Sequence, residues 1–326
     1  MTPMDRRDFL RRGTVVAGAI GLGEAGLRSA IAQEPAKSRV ASIQSEMVQQ
    51  AAGRLSRSVV LQMLDAGVAH ATGETTPDAA WAKLFAADDV VAIKVNASGG
   101  PLLSTNRSVV DAIAERLAGI GISTDNIAIY DRTNGALAAC GYSLNSGTGV
   151  KCGGVEEHWN PKIVRQGAFS GRLADLLNYV SAIVNVPILK DAPVGITISL
   201  KNHFGTIEKP SACHGNGCDP YIADVNAIPA IKDKQRLVVC DATSACYEGG
   251  PGADPRYIWR PNRLLVSTDP VALDTVGMMM IDSKRQQQGL PTLEAAGRKP
   301  KQLVSAAARN LGTSDPEQID LLDKTL

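Results

Sequence analysis

The spacing of apolar residues changes character near residue 88. Before that point Met47, Ala51, Leu55, Val59, Leu61, Leu64 and Val68 recur at intervals close to one helical turn, which predicts one or two helices between Ile43 and Ala71. A further helix is expected from Thr75 to Phe85, with Thr76-Pro77-Asp78 as its start signal. After residue 88 short apolar runs alternate with longer helical ones. "DVVAIKVN" (Asp89 to Asn96) reads as a strand, "SVVDAIAERLAGIG" (Ser108 to Gly121) as a helix and "NIAIYDR" (Asn126 to Arg132) as a strand, one βαβ unit. "SAIVNVPILK" (Ser181 to Lys190), "RLVVCDA" (Arg236 to Ala242) and "RLLVST" (Arg263 to Thr268) are expected to be buried strands, and Asp269 to Gly289 a helix opened by Asp-Pro.

Strands alternating with helices imply an α/β fold: a mainly parallel or mixed sheet with helices on both faces, in one main domain over residues 43–326. In such sheets ligands bind beyond the carboxyl ends of the strands. The expected strand ends carry Lys94, Asn96, Asp131, Arg132, Lys190, Asp191, Asp241 and Asp269. Polar residues occur wherever strands leave a core, so most of these have an ordinary explanation. Lys94 and Lys190 stand out, because a lysine there can hold an anion or lose its proton and act as a nucleophile.

Charge narrows the function further. A formal net charge of +1 without a long basic run, and 4% aromatic residues, argue against a nucleic-acid partner. Near the start, Arg6 and Arg7 precede Asp8-Phe9-Leu10 and a short Ala/Gly-rich apolar segment, Thr14 to Leu22, which resembles a twin-arginine export signal. Ala30-Ile31-Ala32 supplies small residues for cleavage, so residues 1–32 are expected to be a signal peptide and 33–42 a loose leader. The expectation is a protein handled by the twin-arginine export machinery, periplasmic or extracellular, with no stable membrane span after cleavage. Export would also let the six cysteines form disulfides.

The stretch "SACHGNGCDPY" (Ser211 to Tyr221) gathers Cys213, His214 and Cys218 around glycines, with His203 ten residues earlier. Iron, zinc or copper would suit such ligands. A disulfide is the second reading, with sequential neighbours Cys140 and Cys152, Cys213 and Cys218, and Cys240 and Cys246 as one of fifteen full pairings. A plain turn at Gly215-Asn216-Gly217 is the third. "VKCGGVEEHW" brings Cys152, Glu156, Glu157 and His158 together and could complete a metal shell; "CYEGGPGADPRYIW" could form a lid over the strand ends. No dinucleotide fingerprint or P-loop is present.

The segments "VVAIKVNASGG", "STNRSVVDAIAERL", "IAIYDR", "IVNVPILKDAPVGITISLKNHFGTI", "CHGNGCDPYIADVNAIPAI" and "LLVSTDPVALDTVG" together resemble the domain-of-unknown-function 362 family, in its twin-arginine-exported branch, over about residues 43 to 313. Some family members are fused to iron-sulfur modules, so the resemblance implies a redox or cofactor association, and it makes the His214 to Cys218 core characteristic and Cys213 less so. No Cys-x-x-Cys occurs here, which argues against a ferredoxin-type cluster. The preferred expectation is a metal- or redox-cofactor protein with His214 and Cys218 as metal ligands. Asn96, His203 and Cys213 would contact the cofactor, and Lys190, Lys94 and Asp241 would act catalytically on an anionic small molecule or serve a redox partner. Two alternatives stand beside it: a disulfide-stabilised periplasmic binding or scaffold protein without catalysis, and a metal-free enzyme acting on an anionic small molecule through Lys190 and Lys94.

Overall fold

The computed structural model describes residues 37–326. The export signal expected over residues 1–32 lies outside them. Strand β1 (Ser38–Gln44) opens the described chain, starting in the stretch expected to be a loose leader and running two residues past it. Its Val40, Ala41 and Ile43 are fully buried, because the strand is inserted between two others rather than left at an edge. Ile43 is therefore a strand residue. The regular helix expected from that point starts only at α1 (Arg57–Thr72).

Helix α2 (Pro77–Leu84) begins as its start signal predicts: the Thr76 hydroxyl accepts the Ala79 amide hydrogen and Pro77 fills the first turn, a cap worth about 1 kcal/mol. The expected βαβ unit follows as β2 (Val91–Lys94), α3 (Arg107–Gly119) and β3 (Ile127–Asp131). Next come α4 (Asn134–Ala139), β4 (Lys151–Gly154) and a small separate hairpin of β5 (Val164–Gln166) with β6 (Phe169–Gly171).

The run expected as one strand from Ser181 to Lys190 is two, β7 (Ala182–Asn185) and β8 (Ile188–Ala192). Pro187 lies between them and lacks the amide hydrogen that a continuous ladder needs. β7 pairs with β2, whereas β8 joins the far half of a later strand. After β9 (Gly195–Ile196) come three short helices, α5 (Ser199–Asn202), α6 (Tyr221–Asn226) and α7 (Pro229–Lys232). Strand β10 (Gln235–Cys246) runs well past the expected Ala242. β11 (Ile258–Trp259), β12 (Arg263–Ser267), α8 (Pro270–Gln287) and α9 (Lys301–Ala307) follow. The last strand, β13 (Ile319–Thr325), is mostly exposed and falls outside the elements that apolar patterning predicts.

Eleven strands form one mixed sheet whose main path runs β13-β1-β12-β10-β7-β2-β3-β4. Side chains alternate between its faces. Val91, Ile93, Val184 and Val239 pack under α1, α2 and α3, while Ala92, Ile183, Val238 and Cys240 pack against α6, α8 and α9. Helices thus cover both faces of an α/β sheet. Along the path β12 alone runs against the rest, being antiparallel to both β1 and β10. That reversal corrects the expectation for Asp269. The carboxyl end of β12 lies at the opposite end of the strands from Lys94 and Asp131, and there the Asp269 carboxylate caps α8 by accepting the amides of Val271 at 2.8 Å and Ala272 at 2.9 Å.

Candidate functional site

The parallel strands β2, β3 and β7 end side by side. Their register places Lys94 opposite Tyr130 on one side and Asn185 on the other, so Asp131 emerges one residue beyond the lysine. The buried Lys94 ammonium donates to Asp131 Oδ1 at 2.7 Å, to the Val95 carbonyl at 2.6 Å and to Asn202 Oδ1 at 3.3 Å. Burial pushes its pKa down, and the Asp131 carboxylate opposes that push. Asp131 also accepts the backbone amides of Ala97 and Arg132, at 2.6 and 2.7 Å. The pair is therefore fixed from both sides.

Asn202 links this pair to a second lysine. Its Oδ1 accepts from Asn96 Nδ2 at 2.9 Å, and Asn96 Oδ1 accepts from the Lys190 Nζ at the same distance. Lys190 donates as well to the Ser98 hydroxyl at 3.0 Å. It is fully buried, and desolvation lowers its pKa to about 8 despite the nearby Asp131. Lys190 sits inside β8, not at the strand end that a single 181–190 strand would have given it.

Above these groups lies a cavity of about 330 Å³, within the range of small-molecule sites. Lys94, Asn96, Asp131, Lys201 and His214 contribute to its wall, as do Ser98, Thr197 and Gly205. Gly205 is required by closeness: a Cβ there would stand 2.7 Å from Asp131 Oδ1 and 2.8 Å from Lys94 Nζ. Pro251, from the loop expected as a lid, borders the cavity, and the neighbouring Gly250 amide is held by Asp191 Oδ1 at 2.7 Å.

Lys201 differs from the other two amines. It lines the cavity half-buried, and among the described residues its ammonium has no hydrogen bond or ion pair. Burial lowers its pKa, and the nearby Cys218 thiol opposes the shift. Lys201 carries no sequence signal of its own: it lies within the family-like block from Ile183 to Ile207 but ends no strand, so only its surroundings single it out. Arg132 is cationic too, but its guanidinium is committed to the carbonyls of Ile207 and Glu208, both at 2.8 Å.

The remaining expected site residues separate into groups. His214 reaches the cavity wall, exposed, with its Nδ1–H donated to the Pro210 carbonyl at 2.8 Å and its ring edge-to-face with Phe204. Cys213 and Cys218 do not accompany it; both thiols are buried in the apolar cluster with Phe204 and Ile222, which raises their pKa values. His203 lies in the interior away from the cavity wall. Its Nε2 meets Gln235 Oε1 at 2.8 Å, and burial drops its pKa to about 4, keeping it neutral. Asp241 does not line the cavity either: it accepts the Asn106 amide at 2.7 Å and both the amide and hydroxyl of Thr243, clamping the start of α3.

A metal centre would need a convergent donor set. Among the described residues no three His, Cys, Asp or Glu side chains gather around a common point. Cys152 and His158 line a different depression that shares no wall residue with the lysine cavity, so they do not complete a shell around His214. All six cysteines are free thiols. The pairing of sequential neighbours also fails on geometry at one place. Cys240 and Cys246 lie six positions apart on β10. At a strand rise of about 3.3 Å per residue that is roughly 20 Å, against a Cα separation of at most about 7 Å for a bridge.

Fold and cavity define an α/β protein with a lysine-rich cavity at the carboxyl ends of its parallel strands. The profile of the family described as Domain of unknown function (DUF362) matches residues 91–279, more than half of the chain, and the protein belongs to that family. The matched stretch runs from β2 into α8 and includes every residue that walls the cavity. No curated protein matches the chain.

Proposed function

We propose that the protein binds a small organic anion in the cavity at the ends of β2, β3 and β7. The observation that carries this reading is the unpartnered Lys201 ammonium in the wall, beside two further lysines whose own charges are only partly offset by Asp131. A half-buried cation without a partner is costly, and a bound carboxylate or phosphate would relieve it. The metal reading has less support, because His214 reaches the cavity while the Cys218 thiol stays in the core. Elemental analysis of protein purified from its native host tests that reading directly: stoichiometric iron, zinc or copper, lost on His214→Ala, would restore it.

Calorimetric titration with malonate and with inorganic phosphate tests the anion reading. At least one of them is expected to bind with one-to-one stoichiometry. Lys201→Met should weaken that binding by about a hundredfold, the effect of removing a buried charge partner worth roughly 3 kcal/mol. Equal binding by wild type and Lys201→Met would refute the proposal. The same reading holds that the mature protein works outside the cytoplasm, supported by Arg6 and Arg7 ahead of a short apolar run. Cell fractionation together with N-terminal mass analysis tests it: cleavage near Gln33 is expected, and an intact Met1 in the cytoplasmic fraction would contradict it.

A further inference from the structure

We propose that Lys201 is a nucleophile that forms an imine with the carbonyl carbon of a small keto acid held in the cavity, a step that rests on the anion-binding reading above. Three lysines meet at this place, and their surroundings assign them different work. Lys94 donates to three acceptors and is locked to Asp131. Lys190 donates to two and is fully buried behind Asn96 and Ser98, which themselves form the wall. Lys201 alone both faces the cavity and lacks a partner, so its nitrogen lone pair is free once the proton leaves.

The neighbourhood favours loss of that proton. Lys190 feels the positive charges of both Lys201 and Lys94, and Lys201 is itself driven below the ordinary lysine value by burial. For Lys201 the lowering comes from burial, with the Cys218 thiol opposing it. The cations gathered here attract the carboxylate that a keto acid carries beside its carbonyl. The Thr197 hydroxyl, also in the wall, has no partner within the chain among the described residues and can donate to the substrate. His214, with Nδ1 committed to the Pro210 carbonyl, keeps Nε2 available to accept and return a proton.

The chemistry balances without a further reactant. The Lys201 nitrogen attacks the carbonyl carbon, a C–N bond forms and the C=O π bond opens to a carbinolamine. The oxygen then leaves as water, taking two hydrogens that began on the amine, and a C=N bond remains. No electrons are gained or lost. Such an imine, once protonated, withdraws electrons from the neighbouring carbon on the side away from the carboxylate, which suits aldol cleavage or proton exchange at that carbon.

Borohydride trapping on the full folded protein tests the step. Pyruvate and 2-oxoglutarate are the probes, and peptide mass spectrometry locates the reduced adduct. The adduct is expected on Lys201, at least about tenfold above that on exposed lysines such as Lys162 and Lys299, as a keto acid held beside the amine would give. Malonate should suppress it, and trapping should set in at a lower pH than on a fully solvated lysine, the direction in which burial moves the Lys201 pKa. Adduct spread evenly over exposed lysines, adduct on Lys190, or adduct on Lys201 that malonate does not suppress would each overturn the proposal. Malonate binding with no adduct would overturn imine formation and leave the anion reading standing. Failure of malonate, phosphate and both keto acids to bind would remove both.

Discussion

Lys94 can stay charged in the interior because Asp131 meets it at 2.7 Å and two oxygens take its remaining hydrogens. Removing one partner of such a pair leaves an uncompensated buried charge, whereas replacing both with apolar groups removes the problem. Asp131→Asn is therefore expected to destabilise the fold by about 3–5 kcal/mol in urea denaturation, and the double change Lys94→Met with Asp131→Asn by less, because the buried ammonium is gone while an amide oxygen remains for one of the Ala97 and Arg132 amides. Equal losses for the single and the double change would show that the pair does not act as a unit. Lys94 and Lys190 were legible as chemistry because each is a charge in a run of strand-forming residues. Lys201 was not. Its significance lies in the lack of a partner, which depends on residues from several strand ends and on the turn that carries His214. The same limit applied to His203 and Asp241, whose side chains turned out to be spent on Gln235 and on the start of α3.

At the scale of elements, the segment from Ser199 to Thr206 brings Lys201, Asn202 and Gly205 to the strand ends, and Asp274 on α8 holds its beginning. The Asp274 carboxylate accepts from the Ser199 amide at 2.8 Å, the Ser199 hydroxyl at 2.5 Å and the Leu200 amide at 3.1 Å. Burial outweighs these donors and raises its pKa from 3.8 to about 7. In this case the folded chain binds the proton more tightly than the unfolded one. Stability attributable to this group is full below the unfolded value and falls as pH rises from about 4 to about 7, by up to roughly 4 kcal/mol. Asp274→Asn should flatten that part of the stability profile, measured by thermal unfolding across pH; an unchanged slope would show that the carboxyl does not titrate there. Gly205→Ala is expected to force the Lys94–Asp131 pair apart, since the added Cβ would lie under 3 Å from both, and to cost about 1–3 kcal/mol together with a loss of malonate binding. Full binding by this variant would show that the close approach is dispensable.

Elements were more readable than their connections. The βαβ unit and α8 follow from periodicity and capping, because local sequence dictates both. The direction of β12 does not, since nothing in "RLLVST" distinguishes an antiparallel strand from a parallel one, and Asp269 was misplaced for that reason. Pro187 is a readable break inside the apolar run from Ser181 to Lys190. β1 was missed because two charged residues, Lys37 and Arg39, flank its start, and β13 because an exposed edge needs few apolar residues.

For the whole molecule, one mixed sheet gathers three lysines from separate parts of the chain at one edge, and the family match spans that entire arrangement. Among the described residues no helix is long and apolar enough to cross a membrane. The decisive measurement is a crystal structure of the protein grown with malonate. The account predicts a carboxylate oxygen within hydrogen-bonding distance of Lys201 Nζ, in the cavity walled by Asn96, Asp131 and Gly205. Malonate found only on surface lysines, with Lys201 paired to another protein side chain, would contradict it.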